Sequence, residues 1–527
     1  MKGHILLHEN NRQQWPQFLI SWLFFGLLLS MSWYVHPLFS LVCFVPYFKV
    51  LFQAKKNLLY YVQLFVLNLT WNTAVTYWIY QLRPLKGLAT LLTNSMLFLM
   101  PVLIWHLCSR SFLKKGQGMM LLVCWLLFEY LHHIWDFSWT WLTVGNVFGS
   151  HPQWVLWYAY AGVLGGSAWI LSSNYLIYQV ARVSRPGLKK WILPGFTILL
   201  PVVISLGLKV RSNAQPAGMV SHITAAALSV HDKDSISDIR KLRIVDSLLV
   251  SDKQPKEIVL LPEALLTDQV WLDRFPFSRQ YDLIKQSLKR WQASHIITGA
   301  QLNVYDTTGI VNAGPEQADG ISAYNAALMI DTSDMISIKL KKVLVPVEEY
   351  VPSYLSFLPL KKRFRIERNN SDVFEISGRQ YLIGICYEVV NSIFIANRVQ
   401  EQTSALLMLS SESFFGQSEV GREQYMNICR LRCVENNLPL VKSSNDGIVM
   451  SLSAGGEILE AKRTSGPYLL HAAVRSPGIS FYHMIVPFVP WALLLLLGGV
   501  LMVNFFLKVK SRESVHAPSR LSIYIND

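Results

Sequence analysis

Apolar residues fall along this chain in blocks of two kinds. Up to about Leu208 they form long, nearly continuous runs, and such a run returns after Met484; between them short apolar stretches are cut by polar and turn-forming residues. Crossing a bilayer takes about 20 mainly apolar helical residues, and eight segments qualify: 16–34, 37–53, 58–80, 88–108, 117–136, 153–180, 190–209 and 483–507. The first continues to Trp33 with no small-residue cleavage motif, so it reads as a span rather than a removed leader. The pattern predicts a seven-helix membrane region over 1–210, a soluble domain over 211–482, an eighth membrane helix over 483–507 and a tail over 508–527.

Inside the soluble stretch the period changes. After a small Pro/Gly/Ser segment from Ser212 to Ser221, His222 to Val230 is β-compatible and Ile236 to Val250 has helical spacing. Glu257-Ile-Val-Leu-Leu-Pro262-Glu263 reads as a buried strand stopped by a proline, with a carboxylate on its exit. A helix near Phe277 to Gln292, a strand at His295 to Ala300 and a strand pair at Ala323 to Asp331 and Ile336 to Lys341 follow. Arg379 to Glu388 is a second buried strand that delivers polar groups, with a helix expected to about Arg398. A third strand, Ala405 to Ser410, is followed by a helix near Val420 to Asn436 and by short strands at Leu440 to Ser444, Gly447 to Ser451, Ile458 to Ala461 and Pro467 to Ala472. Such alternation predicts an α/β domain with its functional groups at strand ends.

Composition agrees with the pattern: 52% hydrophobic and 16% charged residues is too apolar for one soluble globule. The net charge of +14 would suit nucleic acid, but the basic residues cluster just beyond the apolar runs, which makes them a topology signal. With the N-terminus inside, Lys2, Arg12, Lys55, Lys56, Arg110, Lys114, Lys115, Arg182, Arg185, Lys189, Lys190, Lys508, Lys510 and Arg512 all lie on the cytoplasmic side. The opposite short connections hold only Arg83 and Lys86, and the one from His132 to Gln153 has no Lys or Arg. The soluble domain is thereby expected outside the cytoplasm. That His132–Gln153 connection carries Trp135, Phe137, Trp139 and Trp141, as an interfacial aromatic belt would, or as a lipid-facing floor beneath the soluble domain. Glu129, near the outer end of its span, is costly unless paired and reads first as a structural partner of His132 or His133, and otherwise as part of a polar cavity.

Six cysteines are spread with no CxxC, which excludes a disulfide scaffold; Cys429 and Cys433, four apart on a helix, read as packing rather than a metal pair. Cys386 stands at a strand-to-helix junction, where a helix N-terminus favours the thiolate. An acyl-transferring thiol needs a base and a group to hold the oxyanion, and Glu263 and Lys341 are candidates for both. Singly, each has an ordinary reading: a loop acid, one of three basic residues in Lys339-Leu-Lys341-Lys342, a buried cysteine.

Taken together, Leu-Leu-Pro262-Glu263, Lys341-Lys-Val-Leu344-Val345-Pro346-Val-Glu-Glu349-Tyr350-Val351-Pro352 and Gly384-Ile-Cys386-Tyr387-Glu388 occur in the order seen in the nitrilase superfamily. More narrowly, the chain resembles the bacterial apolipoprotein N-acyltransferase family over essentially its whole length. The resemblance implies an αββα sandwich inserted between the seventh and eighth of eight spans. It implies Glu263 as general base, Lys341 as the oxyanion-stabilising lysine, since it stands three residues before Leu344, and Cys386 as nucleophile. Glu349 and Glu388 match acids that orient the site, Tyr387 an aromatic beside the nucleophile, and Asn325 a site asparagine. In Asn445-Asp446-Gly447-Ile448, which resembles the family's Asn-Asn-Gly-Ile turn, the glycine is expected to serve the backbone.

The chain departs from the family where Val347-Glu348-Glu349 replaces Phe-Gly-Glu, and where Ser411-Glu412-Ser413-Phe414-Phe415-Gly416 replaces Asn-Asp-Ala-Trp-Phe-Gly. It departs again where Ser229-Val-His231-Asp replaces Gln-Gly-Asn-Ile-Pro. By resemblance the reaction is ping-pong: Cys386 takes an acyl chain from a phospholipid, typically phosphatidylethanolamine, and passes it to the α-amine of the diacylglyceryl-cysteine of an apolipoprotein. No cofactor, metal or nucleic acid is implied, and the expected setting is a monomer in the bacterial inner membrane with its catalytic domain in the periplasm. The same trio would serve a tethered amidase with water as acceptor, and the altered segments a non-catalytic scaffold.

Overall fold

A computed structural model describes residues 2–53, 56–82, 84–109, 116–212, 220–230, 236–305, 321–346, 348–351, 364–367, 369–463, 465–475 and 478–516. Of the residues singled out above, Lys55, Arg83, Arg110, Lys114, Lys115, His231, Val347 and Pro352 lie outside them.

All eight apolar segments are helical. Those at Trp15–Tyr34, Pro84–Cys108, Leu188–Lys209 and Tyr482–Val503 are long and apolar enough to cross a membrane. Between them the helices Leu58–Thr76, Gln117–Ile134 and Tyr158–Ala181 and the shorter apolar stretch Pro37–Leu51 complete the bundle. Leu193, Phe196, Leu199, Leu495 and Phe505 point outward with no protein over them, a surface that water does not tolerate and acyl chains do. This is a membrane protein.

The soluble part folds around thirteen strands, counted among the described residues: β1 (Val220–Leu228), β2 (Lys256–Leu260), β3 (Leu266–Trp271), β4 (Ala293–Tyr305), β5 (Ile321–Asp331), β6 (Ile336–Leu340), β7 (Val373–Ile376), β8 (Arg379–Ile385), β9 (Thr403–Ser411), β10 (Leu440–Asn445), β11 (Ile448–Leu452), β12 (Ile458–Arg463) and β13 (Tyr468–Arg475). They hydrogen-bond in the order β6-β5-β4-β2-β1-β10-β9-β8-β7, with β13 antiparallel to β1 and β11 antiparallel to β10. Strands β2, β1, β10, β9 and β8 run parallel, so their C-terminal ends share one rim. Residues from both halves of this order, Ile223, Ile258 and Ala327 with Ile383, Leu407 and Val441, meet in one buried cluster, so the two halves lie face to face.

Helices Asp238–Ser251 and Arg279–Trp291 cover one outer face through Leu242, Val245, Ile284 and Leu288. The opposite face is covered by helix Glu419–Asn436 and the short helix Ser392–Ala396, giving an αββα sandwich. The core on that side does not stop at the domain. Tyr425, Ile428, Leu431 and Val434 belong to the same buried cluster as Trp71, Trp125, Trp141 and Phe148 of the membrane region.

Two strands escaped the reading of the sequence. β3 carries Thr267, Asp268 and Gln269 in its middle, and β7 is four residues long, so neither has the apolar alternation that marks a strand. The helix expected from the thiol to Arg398 is instead a 3₁₀ turn, Cys386–Val390, followed by Ser392–Ala396.

Candidate active site

Glu263, Lys341 and Cys386 each leave the end of a strand. Glu263 lies three residues past β2, where Leu261 N–H donates to Ile297 and Pro262 accepts from Gly299 N–H at 3.1 Å. A Cβ at Gly299 would collide with the backbone of Glu263 and Ala264, so a glycine there lets the acid loop sit on β4. Lys341 follows β6 directly and is fixed by its N–H donating to the Asn325 carbonyl at 2.8 Å. Cys386 follows β8 with φ +48°, a left-handed conformation that non-glycine residues adopt at a cost.

These residues converge. The Lys341 ammonium lies 3.0 Å from Glu263 Oε1 and 2.9 Å from Glu349 Oε1. Asn325 Nδ2 donates to the same two oxygens at 2.8 and 3.2 Å. The other Glu263 oxygen accepts from Ser411 N–H at 2.9 Å, at the end of β9, and the other Glu349 oxygen from Val345 N–H at 2.8 Å. Burial alone would lower the Lys341 pKa, but the Glu263 and Glu349 carboxylates outweigh it and hold the ammonium well above its ordinary value. For Cys386 the balance goes the other way: burial, then the Glu263 charge, push the thiol up to about 12 against the pull of Lys341. The thiol is therefore protonated at rest, contrary to the expectation from its junction. The helix that should have favoured the thiolate is a single 3₁₀ turn, and desolvation decides.

Glu388 and Tyr387 do not enter the cluster but mount it. Fully buried Glu388 accepts from Ile385 N–H at 2.8 Å, from Lys342 N–H at 2.6 Å and from the Lys339 ammonium, tying the elbow to the lysine segment. Lys339 is thus occupied elsewhere, and Lys341 is the lysine of the cluster. Tyr387 hydroxyl donates to the Ser138 carbonyl at 2.7 Å and its ring stacks on Trp139 at 5.9 Å.

The aromatic connection is a floor under the domain. Trp139 and Trp141 are buried, and Trp141 and Trp78 both donate to Gln424 Oε1, at 2.9 and 3.2 Å. Glu129 is structural but not by a histidine side chain: its carboxylate accepts from Val144 N–H at 3.0 Å and Trp125 Nε1 at 3.3 Å, while His133 Nδ1 lies 2.7 Å from the Glu129 carbonyl. Cys429 and Cys433 are packed in the core, Cys429 Sγ against Met408 at 3.8 Å. In the 445–448 turn the positive φ belongs to Asp446, not Gly447; Gly447 is needed because a Cβ would overlap the side chain of Glu412. Glu412, from the altered segment, forms a buried ion pair with Lys442. Sequence reasoning passed over Lys442, Arg422 and Tyr425, because charge or hydroxyl inside a strand or helix carries no motif.

An αββα sandwich whose strand ends gather a glutamate, a lysine and a cysteine, built onto apolar helices, defines a membrane-bound α/β protein with a buried, enzyme-like site. Residues 6–176 match the family model described as apolipoprotein N-acyltransferase N-terminal domain. Similar chains include the apolipoprotein N-acyltransferase of Chlorobaculum tepidum, 22% identical over 69% of this chain and 72% of that one, and that of Azotobacter vinelandii, 24% identical over 72% of each. That of Haemophilus influenzae is 30% identical over 23% of this chain and 24% of its own. Among solved structures, an amidase from Nesterenkonia sp. AN1 aligns with 51% of this chain and 95% of its own at TM-score 0.35 and 14% identity. The chain is thus similar to apolipoprotein N-acyltransferases, in its N-terminal helices by the family model and over about seven-tenths of its length by these relatives.

Proposed function

We propose that the protein N-acylates lipoproteins, moving an acyl chain from a phospholipid through a Cys386 thioester to the α-amine of an N-terminal diacylglyceryl-cysteine. Glu263 is the base that takes the Cys386 proton. Lys341 stabilises the tetrahedral oxyanion, and Asn325, Glu349 and Ser411 N–H hold those two in place. Because the resting thiol is held up near 12, ionisation and attack on the ester are coupled: the proton moves to Glu263 as the carbon–sulfur bond forms. The lysophospholipid alcohol leaves, the amine attacks the thioester, and the thiol is restored.

One observation carries this reading. The residue after the nucleophile, Tyr387, is bonded to Ser138 and stacked on Trp139, so the thiol is mounted directly on the outer connection of the membrane helices. Substrates anchored by acyl chains reach such a thiol without leaving the bilayer. A small cleft lies where the two parts meet, between Phe137, Trp139, Thr90 and Ile79 on the membrane side and Val345, Pro346 and Phe414 on the domain side. In this reading phosphatidylethanolamine is the donor, a monomer suffices, the domain spans 211–482, and the site faces the periplasm from the inner membrane; the distribution of Lys and Arg supports that orientation.

The test is to incubate purified protein with radiolabelled phosphatidylethanolamine and then add a diacylated lipopeptide. A hydroxylamine-sensitive adduct that Cys386→Ala abolishes, followed by N-acylated lipopeptide, is expected. Folded protein that forms no adduct would sink the lipid-donor reading, and an adduct that passes only to water would replace the transferase by a hydrolase.

A further inference from the structure

We infer that Glu412 is a positioning residue for the base: its buried ion pair with Lys442 fixes the Ser411 N–H that holds Glu263. The inference rests on Glu263 serving Cys386 as its base, and it deepens the reading of that site.

Ser411 is the last residue of β9, and its N–H donates to Glu263 Oε2 at 2.9 Å. The other oxygen, Oε1, is taken by the Lys341 ammonium at 3.0 Å and Asn325 Nδ2 at 2.8 Å, so the Ser411 donor sets how the carboxylate is rotated. Past Ser411 the chain enters the 3₁₀ turn Glu412–Phe415, whose poorly aligned hydrogen bonds leave a strand end loose by themselves. The Glu412 side chain supplies what the turn lacks. It is fully buried, its Oε1 faces the Lys442 ammonium on β10, and the same oxygen accepts from Ile448 N–H at 3.4 Å and Ser444 Oγ at 3.5 Å. Arg422, on helix Glu419–Asn436, lies 3.5 Å from Oε2 and donates to the carbonyls of Gly416 at 2.8 Å and Asp446 at 3.1 Å. A Cβ at Gly447 would come within 2.4 Å of the Glu412 carboxyl carbon, so the 445–448 turn is fitted around that side chain. With Ser410 held in the sheet on one side and Glu412 pinned on the other, the Ser411 N–H between them keeps one direction.

Stability alone does not call for such a pair. Desolvating a glutamate and a lysine together costs about what their attraction returns, and apolar side chains of the same volume hold a core at least as well. What the charges add is direction, since a carboxylate gripped by an ammonium and a guanidinium does not turn to another partner. Glu412 does not act on the base by its charge, because Lys442 and Arg422 face it at close range, with Asp446 and Tyr425 nearby. Around Glu263 stand Lys341, Glu349 and Cys386. The influence therefore runs through the Ser411 peptide. What it governs is the strength of Glu263 as a base, because a carboxylate that accepts a backbone N–H holds its charge more firmly.

The experiment follows the hydroxylamine-sensitive adduct formed by full-length protein in nanodiscs with radiolabelled phosphatidylethanolamine. Its rate is measured between about pH 5 and 9, where the acidic limb reports the base. Glu412→Gln alone would strand the Lys442 ammonium, so it is combined with Lys442→Met, which removes both charges at nearly constant volume. Lys442→Met alone, where Arg422 still faces Glu412, is the second variant. In both, the rate should fall about tenfold and the acidic limb move up by about one pH unit, as loss of one donor to a carboxylate predicts. A role confined to stability would lower the melting temperature and leave the limb in place. Limbs that coincide with wild type, whatever happens to the melting temperature, overturn the inference. Wild-type protein that forms no adduct, or forms it without an acidic limb, overturns the reading of Cys386 and Glu263 themselves, so the two failures are distinguishable.

Discussion

Glu388 illustrates how much of this site is support. It accepts two backbone N–H groups and faces the buried Lys339 ammonium, so Glu388→Ala leaves two donors unpaired and Lys339 with only Asp372 at 3.9 Å; the expected loss is about 3 kcal/mol, read as a fall in thermal stability. Lys341→Met acts on chemistry instead: acylation by labelled phospholipid should slow by about 10²–10³, as for removal of an oxyanion donor. The thiols make stability depend on pH. Folded Cys386 holds its proton to about 12 while the unfolded chain gives it up near the ordinary value of 9, so that contribution is intact below 9 and is lost as pH rises toward 12. Melting temperature should fall between pH 9 and 11, and fall less in Cys386→Ala. Glu263, Lys341 and Cys386 were legible because their motifs have fixed spacing and strand ends collect functional groups. The protonated resting state of Cys386 was not, since it depends on burial and on the Glu263 charge, both set by residues far away in sequence.

Among the elements, those with a strong period were readable: β8, β9 and helix Glu419–Asn436 lie within two or three residues of where the pattern puts them, whereas the first and last membrane helices run well beyond their apolar segments. Position in the fold was less so. Helix Tyr158–Ala181 breaks at Gly162, φ +62° and ψ −173°, where Val163 N–H is released and donates to Glu435 at 2.7 Å. Glu435 also accepts from Ser392 at 3.0 Å and pairs with Arg432 at 2.7 Å, so a kink in a membrane helix is read directly by the catalytic domain. A side chain at 162 would meet the Tyr482 ring and a backbone region that only glycine occupies at low cost. Gly162→Ala should therefore cost about 1–3 kcal/mol, measurable as a lower melting temperature, while Gly187→Ala, with open space around it, should cost little. Nothing in the apolar run 153–180 marks Gly162 apart from its neighbours Gly165 and Gly166.

At the scale of the whole molecule, two kinds of joint hold membrane and soluble parts together. One is exposed: Lys86 pairs with Glu348 at 3.0 Å across the cleft. With solvent around both groups it is worth about 0–1 kcal/mol, and Lys86→Ala should leave the melting temperature within about a degree while changing the apparent KM for phospholipid. The other joint is the shared core of Tyr425, Trp141, Gln424 and Trp78, far too buried to open. The sequence divides the chain cleanly at 210 and 483, but the packing does not, because helix Glu419–Asn436 is an outer layer of the sandwich and the roof of the bundle at once. This has a consequence for biogenesis. As the chain is made, the helices that precede β1 are complete while Trp78 and Trp141 still lack their acceptor Gln424, and Tyr482, which packs at Gly162, comes last. The clasp between the two parts is therefore expected to close only when the final segment has joined, and a chain truncated before Tyr482 should be cleared by proteolysis faster than the full-length protein, as a pulse-chase would show.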